Sequence, residues 1–357
     1  MISAEMPTIV IAGNPNTGKS TVFNQLTGGR ARIGNYPGIT VERSIGKTQL
    51  PGGRLVQVLD SPGTYSLAAR SADEQLALEA VAGLPPLPIP QIAVITVDAT
   101  QLSRNLYLVL QIIELGVPVI VALNMIDSLE AAGQEVRPEA LEKALGVPVV
   151  PMVARDGRGL SRLVSAIVEV LDDPSRAKPG WRWRPGNPQL IALMERVGTA
   201  LPEAWHGNDP DRRSALALWA LLSIDPGHDL HGIPGELERA VIDGRAEATA
   251  KGRDLDHEII HGRYAWIDSK IDRIVRDKRH PTELTERVDR ILLHPAMGFV
   301  LFLALMTLVF QALFTGADPI IGLIESAVSW IGNVVGSALG PGLFTDCLLY
   351  TSPSPRD

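Results

Sequence analysis

Eight residues, Gly13-Asn14-Pro15-Asn16-Thr17-Gly18-Lys19-Ser20, leave this chain few folds to choose from. They follow a β-branched apolar run at 8–12 and open an amphipathic stretch at 18–27. A glycine-bearing loop between a buried strand and a helix is the context of a P-loop. Its backbone N–H groups wrap a phosphate chain, and the helix N-terminus adds a favourable dipole. Lys19 is placed to reach the β and γ phosphates and the Ser20 hydroxyl to ligate magnesium, with Thr21 beside them.

The same apolar character returns at 54–59, 92–97, 117–123 and 147–150, and helical patterns at 72–82, 102–115, 137–145 and 159–171 lie between. Near-continuous apolar runs are what strands buried on both faces require. Residues 44–59, centred on Pro51-Gly52-Gly53, read as a hairpin that adds an antiparallel edge. The alternation predicts an α/β, doubly wound sheet with its ligand chemistry at the strand ends.

Four further groups fall at those ends. Asp60-Ser61-Pro62-Gly63 offers Asp60 to magnesium through water and the Gly63 amide to a γ-phosphate. Gly38-Ile39-Thr40-Val41 places Thr40 to ligate magnesium when that phosphate is present. Asn124-Met125-Ile126-Asp127 offers the Asp127 carboxylate to the paired N–H groups of guanine, and Val153-Ala154-Arg155 offers the Ala154 amide to its oxygen. Singly, each has a plainer reading, since aspartates cap helices and Asn-x-x-Asp forms turns. In this order they predict a GTP-binding domain with Mg²⁺ on Ser20, Thr40 and Asp60, and catalysis resting on Asn16, Lys19, Thr40 and Gly63.

Two departures matter. Met125 stands where a lysine is usual, which loses polar contact around the base, and Thr64 follows Gly63 where a water-orienting glutamine is common, which predicts slow hydrolysis. Asn16 either holds K⁺ against the phosphates, adding positive charge in the transition state, or is structural.

Beyond 172 the character changes. Residues 173–275, a proline-bearing linker followed by short helical patterns, read as a second, all-α domain. A charged linker at 276–294 leads to 297–314, eighteen residues without a charge, which reach the lower length for crossing a bilayer. Seven Lys or Arg between 270 and 290 favour a cytoplasmic location for that side. Residues 320–339, with Glu325, read as a separate interfacial or bundle helix, and 295–346 as the start of an α-helical membrane domain. The tail at 347–357, with the single Cys347, looks like translated adapter sequence and is read as non-native. A net charge of -7 argues against nucleic acid, and one cysteine excludes a disulfide framework. The N-terminus lacks the pattern of a cleavable signal peptide.

The segments 13–24 (GNPNTGKSTVFN), 34–43 (GNYPGITVER), 60–67 (DSPGTYSL), 71–74 (SADE), 98–108 (DATQLSRNLYL), 263–267 (RYAWI) and 288–295 (VDRILLHP) resemble the bacterial ferrous-iron transport protein B family. The resemblance spans residues 7–346. It implies a P-loop GTPase (1–172), a helical domain (173–275) that stabilises the GDP state, and a nucleotide switch gating Fe²⁺ passage through the bacterial inner membrane. It also implies potassium-assisted hydrolysis at Asn16, and it admits small accessory proteins and a homo-oligomer as partners beside GTP, GDP and the lipid bilayer. Most of that family's membrane helices are absent from this chain, so no transport is expected of it alone.

Other readings stay open: a soluble or membrane-docked regulatory GTPase unconnected with iron, or a transporter for another divalent metal. His257-Glu258-Ile259-Ile260-His261 matches a zinc pattern, with Glu283 and Glu286 downstream, but falls in a helical region without other protease features. His228 and His231 are expected to be solvated, and Trp181 and Trp183 to make a linker or membrane contact.

Overall fold

The structure, a computed structural model, describes residues 6–29, 32–35, 42–69, 71–85, 87–228, 230–277 and 292–339. Its contacts divide the chain into two units, Met1–Arg279 and His280–Asp357.

In the first unit, β1 (Thr8–Gly13), β2 (Arg32–Asn35), β3 (Glu42–Gln49), β4 (Leu55–Asp60), β5 (Ile92–Asp98), β6 (Val119–Asn124) and β8 (Val149–Pro151) form a seven-stranded sheet in the order β2-β3-β4-β1-β5-β6-β8. The neighbours β4-β1-β5-β6-β8 are parallel, whereas β2-β3 and β3-β4 are antiparallel. The hairpin is therefore present, and β3 begins two residues earlier than its sequence pattern indicates.

Strand periodicity sorts the core. Ile9 and Ile11 face one layer with Val22, Phe23 and Leu26 of α1 (Lys19–Thr27) and Leu163 and Ile167 of α6 (Leu160–Asp172). Val10 and Ala12 face the other, with Leu78 of α2 (Ala72–Ala82) and Leu106 and Leu110 of α3 (Leu102–Glu114). Alternate side chains of one strand thus serve opposite faces, which is why β1 reads as a continuous apolar run. At Asp60, Asp98 and Asn124 three of these strands end on one edge of the sheet.

Four elements carry no periodic signal. β2 has four residues, and α4 (Ile126–Ala131) six. The three-residue strands β7 (Gln134–Val136) and β9 (Val275–Asp277) are far apart in the chain and pair antiparallel, so neither shows a pattern by itself. α5 (Pro138–Leu145) starts on a proline, whose missing N–H costs nothing in a first turn.

The helical part comprises α7 (Pro188–Thr199), α8 (Glu203–His206), α9 (Pro210–Ser223), α10 (Gly235–Ala250) and α11 (Leu255–Ile274). Asn187, Asp209 and Asp254 cap α7, α9 and α11 by accepting from the first-turn amides of Gln189, Asp211 and His257. From Ala215 to Ser223 every residue of α9 is buried, so this helix runs through the centre of the packing. Trp181 stacks on Trp266 with ring centroids 4.8 Å apart and donates its indole N–H to Leu145 O, and Trp183 donates to Gly262 O. Both tryptophans therefore bind the linker to the helices.

His228 corrects its expectation: its side chain is 10% exposed, with Nε2 3.6 Å from the Glu238 carboxylate. The Glu258 of the zinc-like pattern is engaged by Arg253 at 2.5 Å and by Asn187, while the rings of His257 and His261 stack. Glu283 and Glu286 lie outside the described residues.

In the second unit α12 (Pro295–Leu339) is one helix of 45 residues, where the sequence suggests two. At 1.5 Å per residue it is about 67 Å long, twice a bilayer core of about 30 Å. Pro295–Phe314 has a mean hydropathy of 2.3, none of it buried within the chain, and is long and apolar enough to cross a membrane.

Candidate nucleotide site

Gly13 (φ 151) and Gly18 (φ 90) bracket the P-loop, and Asn16 between them holds φ 65, a left-handed conformation seldom adopted outside glycine. Thr17 fastens the loop from inside. Its hydroxyl donates to Asn14 O at 2.9 Å and lies 2.7 Å from Thr96 Oγ1 at the end of β5. A Cβ on Gly13 would lie 2.3 Å from that Thr96 oxygen, so the loop's first residue has no room for a side chain. Thr96, buried in β5, has no motif to announce it; its neighbour across the sheet is Gly13.

A shallow cavity of about 400 Å³ opens against Pro15, Asn16, Gly18, Lys19, Ser20, Thr21 and Gly63. The Lys19 ammonium lies 3.5 Å from Asn14 O, and a Cβ on Gly63 would stand 2.8 Å from Lys19 Nζ. Ser20 Oγ is 3.4 Å from Asp60 Oδ2. Burial lowers the Lys19 pKa, with Asp60 opposing the shift. Burial likewise raises that of Asp60, against the pull of Lys19 and the Ser20 hydroxyl. The second Asp60 oxygen, Oδ1, is buried with no hydrogen-bond partner. A hydroxyl and a carboxylate with an unsatisfied oxygen form the hard donor set that Mg²⁺ takes.

The loop after Gly63 is held elsewhere. Thr64 donates its amide to Gly13 O at 3.3 Å and its hydroxyl to Ser66 O, and is buried. Leu67 N–H donates to Gln111 of α3, Ala69 N–H to Ser223 of α9, and the Arg104 guanidinium sits 4.0 Å over the Tyr65 ring. Gln75 on α2 exchanges two bonds with the His231 backbone, and Arg212 of α9 donates to Ala82 O. Both the loop and the helix after it are thus bonded to the helical part.

At the other end, Asn124 Nδ2 donates to Thr17 O at 2.9 Å, and the Ala154 N–H donates to Asn124 Oδ1 at 2.8 Å. The Ala154 amide, read from sequence as a donor to guanine, is here given to Asn124. Met125 (φ 62) turns the chain from β6 into α4, and Asp127 Oδ2 lies 3.5 Å from Arg155. The structure thus brings the residues at 13–21, 60–63, 124–127 and 153–155 to one edge of the sheet, while Gly38, Ile39, Thr40 and Val41 lie outside the described residues.

The chain is similar to known proteins in sequence and in fold. The family model described as ferrous iron transport protein B matches residues 7–167. The Fe(2+) transporter FeoB of Leptospira biflexa is 32% identical over 351 residues, covering 96% of this chain and 48% of that protein. The Fe(2+) transporter FeoB of Escherichia coli K12 is 33% identical over 342 residues, covering 91% and 42%. The chain belongs to the ferrous iron transport protein B family. It spans about half the length of the curated FeoB relatives it matches. Among solved structures, the cytosolic domain of L. pneumophila FeoB aligns with TM-score 0.63 at 30% identity, covering 75% of this chain and 99% of that one. A GDP-bound variant of the S. thermophilus FeoB G-domain aligns with TM-score 0.58 at 29% identity, covering 76% and 100%. The first unit therefore has the fold of FeoB cytosolic domains, a P-loop GTPase sheet with helices after it.

Proposed function

We propose that this chain is the guanine-nucleotide switch, with a membrane helix attached, of an Fe²⁺ uptake system in the bacterial inner membrane. The observation that carries the reading is the convergence of Lys19, Ser20, Asp60 and Gly63 at one end of the P-loop, with Asp127 at the other end of the site.

The P-loop amides and the Lys19 ammonium hold the β and γ phosphates of GTP, and the Gly63 amide senses the γ-phosphate. Ser20 and Asp60, with Thr40 when GTP is bound, hold Mg²⁺, which supplies charge neutralisation of the phosphates. Asp127 accepts the paired guanine N–H groups, and Asn124 fixes the base loop to Thr17. Thr64 is buried with its hydroxyl spent on Ser66, so no side chain at that position orients the attacking water and turnover is slow. Asn16 is exposed, makes no side-chain hydrogen bond among the described residues, and suits a K⁺ ligand that adds positive charge at the phosphates.

Loss of the γ-phosphate releases the loop at Gly63, an order–disorder switch. The bonds Ala69–Ser223, Gln75–His231 and Ala82–Arg212 connect that loop and α2 to the helical part. Fe²⁺ is the cargo by analogy with the relatives named Fe(2+) transporter FeoB.

The test is GTP hydrolysis by the full chain with Mg²⁺, in potassium and then in sodium, beside Asn16→Ala. Faster turnover in potassium that vanishes in the variant supports the cation role. Equal turnover in both salts removes it and leaves a plain GTP switch.

A further inference from the structure

We propose that Gln25, two turns into α1, is a positioning residue that sets how long the site keeps guanine nucleotide. The proposal rests on the reading of the site as a guanine-nucleotide pocket.

The Ala154 peptide is gripped on both sides. Its N–H donates to Asn124 Oδ1 at 2.8 Å, and its carbonyl accepts from the Gln25 carboxamide and, more weakly, from Gly157 N at 3.3 Å. Asn124 is itself tied to Thr17 O at 2.9 Å, so the turn at 153–157 hangs from the P-loop through Asn124 and from α1 through Gln25. Val153 at the start of that turn is buried, but no polar side chain of the turn ties it to α1 or to the P-loop. Arg155 is 82% exposed, and its contacts are to Asp156 and Asp127 at the surface. Ala154 is 1% exposed and contributes only its backbone and a methyl group.

The amide of Gln25 is committed to this one task. Its oxygen is buried with no partner, and exchanging oxygen and nitrogen would set that oxygen against the Ala154 carbonyl. Its neighbours on α1, Val22, Phe23 and Leu26, are sunk in the core beneath the sheet, so the base of the side chain does not move. The helix whose N-terminus faces the phosphates therefore also fixes the turn beside the base. Close packing leaves no slack in this link: a Cβ on Gly18 would lie 2.4 Å from Asn124 Nδ2. Without the Gln25 bond the turn loses its tie to α1 and keeps the one through Asn124, the base end loses register with the phosphate end, and nucleotide leaves sooner. The γ-phosphate machinery around Lys19 and Gly63 is untouched.

The experiment uses the full chain in lipid nanodiscs, loaded with fluorescent mant-GDP and Mg²⁺ and chased with unlabelled GDP. Gln25→Met keeps the volume and removes the donor; Gln25→Lys keeps a donor. The expected result is release about three- to tenfold faster in Gln25→Met, the range of one net hydrogen bond. Gln25→Lys stays within about twofold of wild type, and single-turnover GTP hydrolysis is unchanged in both. Release from Gln25→Met at the wild-type rate overturns the proposal. So does acceleration in both variants with a lowered melting temperature, which marks a packing role. Failure of the wild-type chain to bind mant-GDP would instead remove the nucleotide reading itself.

Discussion

Arg263 on α11 grips Glu114 at the end of α3 through two bonds, Nη2–Oε2 at 2.7 Å and Nε–Oε1 at 3.1 Å, in a seam where neither side chain is more than 5% exposed. The guanidinium also lies 3.4 Å from the Tyr107 hydroxyl and over the Trp183 ring, and Tyr107 stacks on Tyr264. The last helix of the first unit is thereby fixed to the sheet layer. Breaking a buried pair strands the remaining charge, at a cost of about 3–5 kcal/mol, whereas replacing both partners by apolar groups is often neutral. Arg263→Met is expected to lower stability by that amount and Arg263→Met with Glu114→Leu to recover most of it, as read by chemical denaturation of the full chain.

Met125 holds φ 62 at the position where a lysine would flank the base. The residue already pays the left-handed conformation, about 1–3 kcal/mol for a non-glycine residue, so Met125→Lys adds a charge without a new backbone strain. Its expected effect is tighter GDP binding, by about fivefold, with melting temperature unchanged. Fluorescence titration with mant-GDP measures it.

Much of this was legible before any coordinates. β1, β4, β5 and β6 are strong because each is buried on both faces, and their carboxyl ends gather Gly13, Asp60 and Asn124 at one edge of the sheet. What failed to show in the sequence had no period to show. β7 and β9 have three residues each and are strands only through one another. The grip of Arg263 on Glu114 joins positions far apart in the chain, and Gln25 sits in an ordinary helix where nothing marks its partner. His228 reads as a polar turn residue, yet its ring is packed beside Glu238.

Gly63 touches the P-loop closely enough that its Cβ would meet Lys19 Nζ at 2.8 Å and Pro15 Cα at 3.2 Å. Gly63→Ala is therefore expected to push the loop off the γ-phosphate position while the base end stays intact. Hydrolysis should fall by about a hundredfold, the scale of one lost transition-state donor, and GDP affinity should stay within about threefold. Single-turnover kinetics beside GDP titration separates the two.

Burial raises the Asp60 pKa, against Lys19 and Ser20, so the carboxyl keeps its proton to higher pH in the fold than in the unfolded chain. This group's contribution to stability is therefore present below the ordinary aspartate range and is lost as pH rises through its raised folded value. Mg²⁺ holds only the ionised form, so the melting-temperature gain from Mg²⁺ should appear as pH rises through the same window. Asp60→Asn should flatten that dependence.

The central claim is that Asp127 and the P-loop together select a guanine nucleotide, and competition binding tests it most directly. Bound mant-GDP on the full chain with Mg²⁺ is challenged with GTP, ATP and xanthosine triphosphate. The account predicts displacement by GTP at concentrations at least about a hundredfold below those of ATP, and a shift of preference to the xanthine nucleotide in Asp127→Asn. Equal displacement by ATP and GTP, or an Asp127→Asn chain that still prefers GTP, would contradict it.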